Sequence, residues 1–143
     1  MKCKSFVLPF FAVILILLAA ITSFSGCSGN TGRNLPSSSP AQDIGEGNTV
    51  FRFEVTDDAQ TVTSWNVHTN EMTVGAALLE TGLISGDTSG FGLLVKEVNG
   101  ITADYDVNQS WWAFYVDGEM AAAGVDSTDI EPGKTYAFIF TQE

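Results

Sequence analysis

Histidine occurs once in this chain, at position 68, and cysteine twice, at positions 3 and 27. A zinc triad or an H-E-x-x-H pair needs several such ligands in one fold, and a lone His68 cannot supply them. His68 falls at the end of an expected strand, where an exposed or loop histidine is the ordinary outcome. The sequence has no G-x-S-x-G nucleophile elbow. Gly45-Glu46-Gly47 and Gly90-Phe91-Gly92 do not sit between a strand and a helix, so neither reads as a phosphate loop. The carboxylate pairs Asp57/Asp58 and Asp117/Glu119 could do acid–base chemistry in principle. Both lie in turn-like segments, where aspartate is favoured for local hydrogen bonding. The residues therefore point away from catalysis, and the chain is expected not to be an enzyme.

Two segments hold more. Asp104-Tyr105-Asp106-Val107-Asn108 places oxygen ligands at alternate positions, as at the opening of a calcium loop. Gln109 then stands where the turn glycine belongs and Tyr115 where the bidentate glutamate belongs, so this is no EF-hand. A looser calcium site on Asp104, Asp106 and Asn108, or on Asp126 and Asp129, stays open, beside an acidic hairpin end in water. The other segment is Trp111-Trp112-Ala113-Phe114-Tyr115-Val116. Successive strand residues point to opposite faces, so Trp112, Phe114 and Val116 share one face, and Trp111 and Tyr115 the other. The first set continues in phase to the turn at Asp117-Gly118 and is assigned to the core. Exposed aromatic clusters mark binding surfaces, which makes Trp111, Trp112 and Tyr115 the candidate ligand contacts. The alternative is that a loop over residues 85–90, or the segment before residue 49, covers the exposed set.

These aromatics must be positioned by short alternating elements. Phe51-Arg52-Phe53-Glu54-Val55 alternates apolar and charged residues, the pattern of a half-buried strand, and residues 60–67 read as its hairpin partner. Thr73 can cap a helix carrying the stripe Val74, Ala77, Leu78 and Thr81, with Gly82 suited to its end. Residues 91–98 and 101–105 are expected as strands joined by Asn99-Gly100, the preferred two-residue type I′ turn. Asp117-Gly118 repeats that chemistry between residues 111–116 and 119–123. Ile130-Glu131-Pro132-Gly133 turns into a last strand where Tyr136, Phe138 and Phe140 alternate. Two strands, one helix and several more strands imply an α+β fold. The economical form is a mixed, mostly antiparallel sheet with one helix packed on one face, the order of a β-grasp-like domain.

The N-terminus reads differently. Lys2 and Lys4 form a basic head, residues 10–21 are unbroken apolar, and Ser25-Gly26 precedes Cys27. This is the grammar of an export signal, with a run shorter than a membrane span requires. Ser25-Gly26-Cys27 looks like a bacterial lipobox, which makes residues 1–26 a lipoprotein signal peptide and Cys27 the lipidated residue. The chain would then sit on the outer side of a cell membrane by its lipid anchor. Residues 27–48, rich in Ser, Gly, Asn and Pro, read as the lipidated cysteine and a flexible tether. Residues 49–143 remain for one small domain. With Cys3 removed and Cys27 occupied, no disulfide forms. All 17 acidic residues follow the signal, against Arg33, Arg52, Lys96 and Lys134. So acidic a surface repels phosphate backbones and excludes nucleic acid as a partner.

Within residues 111–140, Trp112-x-Phe114-Tyr115-Val116-Asp117-Gly118, Gly124-Val125 and Ile130-x-Pro132-Gly133-Lys134-x-Tyr136-x-Phe138 resemble the DUF4430 family of bacterial exported domains. Thr73-Val74-Gly75-Ala76-Ala77-Leu78-Leu79 also fits that pattern, so the resemblance runs over residues 49–143. The family is similar to the C-terminal β-domain of transcobalamin and intrinsic factor, the vertebrate cobalamin carriers. The resemblance implies a β-grasp-like binding domain and, by analogy, a corrinoid or similarly bulky ligand. The expected function is non-catalytic binding of a small molecule or another surface protein. A calcium-binding or adhesive surface module is the alternative. Replacing Cys27 with Ser is expected to move the protein from the membrane fraction to the soluble fraction. Membrane retention of a cleaved, unlipidated Cys27→Ser form would refute lipid anchoring.

Overall fold

A computed structural model describes residues 40–143; the signal segment, Cys27 and residues 28–39 lie outside the described residues. In chain order the elements are β1 Gln42–Gly45, β2 Thr49–Thr56, β3 Val62–Thr69, helix α1 Val74–Glu80, β4 Ile84–Ser89, β5 Gly92–Val98 and β6 Ile101–Thr102. There follow a single helical turn, α2, Tyr105–Asn108, then β7 Ser110–Val116, β8 Glu119–Met120, a 3-10 turn Val125–Ser127 and β9 Thr135–Gln142.

The alternation in β2 buries Phe51, Phe53 and Val55, and the antiparallel register sets Phe53 against Trp65 and Phe51 against Val67 of β3. On its other side β2 pairs in parallel with β9, so that Phe53 faces Tyr136 and Val55 faces Phe138. β9 in turn pairs antiparallel with β7, opposing Phe138 to Phe114 and Phe140 to Trp112. The strand order is β1-β3-β2-β9-β7-β8, with the last strand of the chain inside a six-stranded mixed sheet. All the residues just named share one face. Their rings interlock: Phe53 stacks on Trp65 at 5.8 Å, Phe114 tilts against Phe138 at 5.1 Å, and Phe51 meets Tyr136 edge-on at 5.4 Å.

Helix α1 covers part of this face. Thr73 caps it by accepting from the Ala76 N–H, as the sequence indicates. Gly82, at φ +71°, closes it: the Gly82 N–H donates to Leu79 O and the Leu83 N–H to Leu78 O. Val74, Ala77 and Leu78 are fully buried beneath it. The remainder of the face is covered by a second sheet, β4-β5-β6, where one sheet was expected. Residues 84–89 form strand β4 rather than a loop over residues 85–90. Its Ser, Gly, Asp and Thr residues lie exposed beyond Ile84, so backbone pairing with β5 builds the strand and no apolar alternation announces it.

Both two-residue turns form as expected. Asn99 and Gly100 have φ of 51° and 77°, Asp117 and Gly118 of 50° and 82°. The strand expected over residues 101–105 ends at Thr102. The Asp104 side chain accepts from the Asp106 N–H and starts α2, which stops at Gln109 in the left-handed region.

Ordered structure also begins before Thr49. β1 lies parallel to β3, with Ile44 packed on the core, inside the stretch expected as tether. Main-chain bonding to a strand edge needs no apolar sequence, so composition does not reveal it. Asp43 on β1 accepts from Asn66 Nδ2 at 3.2 Å, and its Oδ1 lies 3.3 Å from His68 Nε2. The Asn66 hydrogen bond first, and His68 second, hold this carboxyl below the ordinary carboxylate range.

α1 crosses the 3-10 turn closely at Gly75. A Cβ there would fall 2.8 Å from both the Cα and the N of Asp126, inside contact distance to backbone. Alanine in a free helix interior would gain about 1 kcal/mol over glycine. Here the overpacking reverses the sign, and Gly75→Ala should destabilise the domain by about 1–3 kcal/mol. A urea melt of the variant checks this; a gain in stability would show that the helix moves aside freely.

Candidate functional site

Among the described residues, the carboxylates and the single imidazole do not converge. No group of three or more His, Asp or Glu is placed to hold a metal ion. The calcium candidates make local contacts. Asp104 Oδ1 caps α2, Asn108 Oδ1 accepts from the Ser110 hydroxyl, and Asp106 is exposed on the helical turn. Asp126 lies apart, its carboxylate beside Gly92 and Gly124. Asp104, Asp106 and Asn108 thus lie on and beside the one turn of α2. His68 is committed to the β1–β3 contact with Asp43.

The aromatic strand separates as its alternation requires. Trp112 is 7% exposed and belongs to the core face, whereas Trp111 is 36% exposed. The Trp112 indole N–H donates to Ile101 O at 3.2 Å, and its ring meets Phe140 edge-on at 5.4 Å. Trp111 packs against Tyr105 of α2, with ring centres 6.1 Å apart. Along this edge of β7 runs a cleft of about 240 Å³, with Leu93, Leu94 and Val95 on one side and Trp111, Trp112 and Phe114 on the other. A further hollow of about 150 Å³ continues past Leu94 and Trp111 to Tyr105 and Asp106. Trp111 and Trp112, from opposite faces of one strand, both line the cleft, where no strand among the described residues pairs with β7 on that side. Tyr115, the third expected contact, does not line it; this residue pairs with Met120 of β8 and Ala137 of β9.

Leu93, Leu94, Val95 and Tyr105 were not among the expected site residues. One signal was present in the sequence: Leu93-Leu94-Val95 sets apolar residues on both faces of one strand, and Leu94 is the exposed one, at 60%. A larger cavity of about 440 Å³ lies between β8 and the 3-10 turn, lined partly by Met120, Ala122, Glu131 and Lys134. Its one lysine is engaged, Lys134 Nζ lying 2.7 Å from Glu131 Oε1, and Asp117 and Glu119 add further carboxylates to the wall. The Tyr136 hydroxyl there donates to Asp129 O and accepts from the Glu131 N–H. The aromatic cleft is the better site for an apolar ligand because its lining holds no charged residue.

A mixed sheet with its last strand inside, one helix and a small second sheet over one face, and an aromatic cleft at one edge define a small β-rich α+β domain without a convergent catalytic group among the described residues. The chain belongs to the DUF4430 family, a domain of unknown function, whose model matches residues 71–142. The match runs from before α1 into β9 and leaves β1, β2 and β3 outside it. No curated protein matches the chain. Among solved structures, a protein from Ruminococcus gnavus ATCC 29149, to which metal binding has been attributed, is 24% identical with a TM-score of 0.63. That alignment covers 67% of this chain and 99% of the other. Haptocorrin in complex with Cbi is 14% identical with a TM-score of 0.50, over 66% of this chain and 25% of haptocorrin. At these identities the likeness is one of fold.

The two neighbouring tryptophans should separate in their effects on stability. Trp112→Ala removes a core aromatic and should cost about 3–5 kcal/mol. Trp111→Ala should cost about 1 kcal/mol. Paired denaturant melts decide it: a larger loss for Trp111→Ala would reverse the face assignment.

Proposed function

We propose that this chain is a lipid-anchored, extracytoplasmic, non-catalytic binding domain, and that the cleft between β5 and β7 takes a bulky, largely apolar ligand. The observation that carries this reading is the half-exposed Trp111 indole at the mouth of a cleft walled by Leu93, Leu94, Val95, Trp112 and Phe114. A concave apolar surface of this kind, with an aromatic ring at its mouth, is a binding feature. A haptocorrin of similar fold was solved with Cbi, which supports a corrinoid as the first ligand to try. The parallel seating of β9 beside β2, with α1 across the same face, supports the β-grasp-like reading of the fold. Anchoring at Cys27 would hold the domain at the membrane surface, where a binding module meets ligands or other surface proteins.

Titration of the full chain in mild detergent with dicyanocobinamide, followed by tryptophan fluorescence, tests the site. Saturable quenching is expected. Trp111→Ala should weaken binding by about 2 kcal/mol, roughly 30-fold, as loss of an aromatic anchor does. Binding that is indifferent to Trp111→Ala would place the corrinoid site elsewhere, and absence of saturable binding would remove the corrinoid reading.

A further inference from the structure

The cavity of about 440 Å³ beside β8 is larger than the aromatic cleft and differs from it in chemistry. It borders the core face of the main sheet at its β8 edge. Val116 is in phase with Trp112 and Phe114 yet only half-buried, and Glu119 opposes it across the β7–β8 ladder. Val116, Met120, Ala121, Ala122 and Ala123 give the cavity apolar wall, while Asp117, Glu119 and Glu131 bring carboxylates to it. Small-molecule sites are concave hollows of about 300–1,000 Å³ that combine apolar walls with a few polar groups.

The polar groups of the wall are held in place. The Asp117 N–H donates to Thr135 O at 2.8 Å, and Asp117 Oδ1 accepts from the Thr135 N–H at 2.9 Å. The Tyr136 hydroxyl fixes the Glu131 backbone. A ligand therefore loses little in ordering these groups. Their charges do not balance. Lys134 is the one cation in the lining, and its Nζ donates to Glu131 Oε1 at 2.7 Å. That bond first, and the charges of Glu131 and Asp117 after it, hold the Lys134 ammonium above the ordinary lysine range. Among the described residues, Glu119 has no hydrogen-bond or ion-pair partner for its carboxylate, and Asp117 has only the Thr135 N–H. Three carboxylates against one ammonium leave two negative charges unmatched.

We propose that this cavity binds an aliphatic diamine, with its carbon chain along Val116, Met120 and the alanines and its two ammonium groups toward Asp117 and Glu119. The ligand supplies the charge that the wall lacks, and its carbon body covers apolar surface that a bare metal ion would leave wet. No set of three or more metal-ligating side chains converges among the described residues, which also favours an organic cation. The chain's formal charge of −11 raises the local concentration of cations and steers them inward. The site is separate from the cleft between β5 and β7, so it stands or falls independently of the apolar ligand proposed there.

Calorimetric titration of the full chain in mild detergent with 1,5-diaminopentane tests this. One saturable site is expected, and binding should weaken as salt is raised. 1-Aminopentane should bind about tenfold more weakly, and glutarate not at all. Magnesium, of equal charge without a carbon body, should show no saturable binding. Glu119 is exposed, so Glu119→Gln should spare the fold, verified by its melt, and weaken the diamine about tenfold. Asp58→Asn removes the same charge past the far end of β2, beyond the Thr56–Ile139 pair, and should change binding by less than about twofold. Lys134→Gln frees Glu131 and should tighten binding severalfold, the opposite of what damage to the cavity would do. Equal weakening by Glu119→Gln and Asp58→Asn would mean that net charge alone gathers the amine, and equal binding of magnesium would make this an ion site. Either result overturns the inference, as does weaker binding by Lys134→Gln or the absence of saturable diamine binding.

Discussion

The parallel seam between β2 and β9 is the contact on which the rest of this domain depends. It joins the first half of the sheet to the second, and it forms between segments about as far apart in the chain as the domain allows. Its inner face is aromatic: Phe51, Phe53, Tyr136 and Phe138 are all essentially excluded from solvent. Tyr136 carries a second duty, since its hydroxyl fixes the backbone at Asp129 and Glu131. That backbone in turn meets the start of α1, where the Ile130 N–H donates to Met72 O and the Val74 N–H to Thr128 O. Helix, turn and sheet are thus fastened through one buried ring with a satisfied polar end.

The cleft is a consequence of how this sheet ends. A sheet strand that stays paired on both sides leaves no cavity, and β7 is fully paired only where β8 lies against it. Beyond Phe114 the second sheet comes near without pairing, and the aromatic side chains of β7 stand in the gap. Acidic residues gather around the opening, while the apolar walls stay free of charge.

Local chemistry was legible in the sequence where one or two residues decide the backbone. Asn99-Gly100, Asp117-Gly118, the Thr73 cap and the Gly82 stop all take the conformations their types require, and the phase of Trp112, Phe114 and Val116 gives the buried face. Elements built by pairing alone escaped that reading. β1 and β4 present mostly polar, exposed side chains, so their existence is decided by the strand edge they meet. Residues 103–108 turned on a competition between a strand and the Asp104 cap, which the cap won. The site was half legible: Trp111 and Trp112 lie where alternation places them, but their partners Leu93, Leu94 and Val95 arrive from a sheet that local pattern does not announce. Tyr115 shares a face with Trp111 and is too far along the strand to share its cleft.

The interior position of β9 has a consequence for how the molecule is made. A chain synthesised from its N-terminus presents β2, β3, α1 and β7 before the strand that must lie between β2 and β7 exists. Until then the aromatic faces have no common partner, and the contacts with the longest sequence separation are the last to be available. Folding is therefore deferred until β9 has been made. A product that stopped short of Thr135 would keep its rings exposed and stay open to proteolysis, so the topology makes folding of this domain conditional on its last strand.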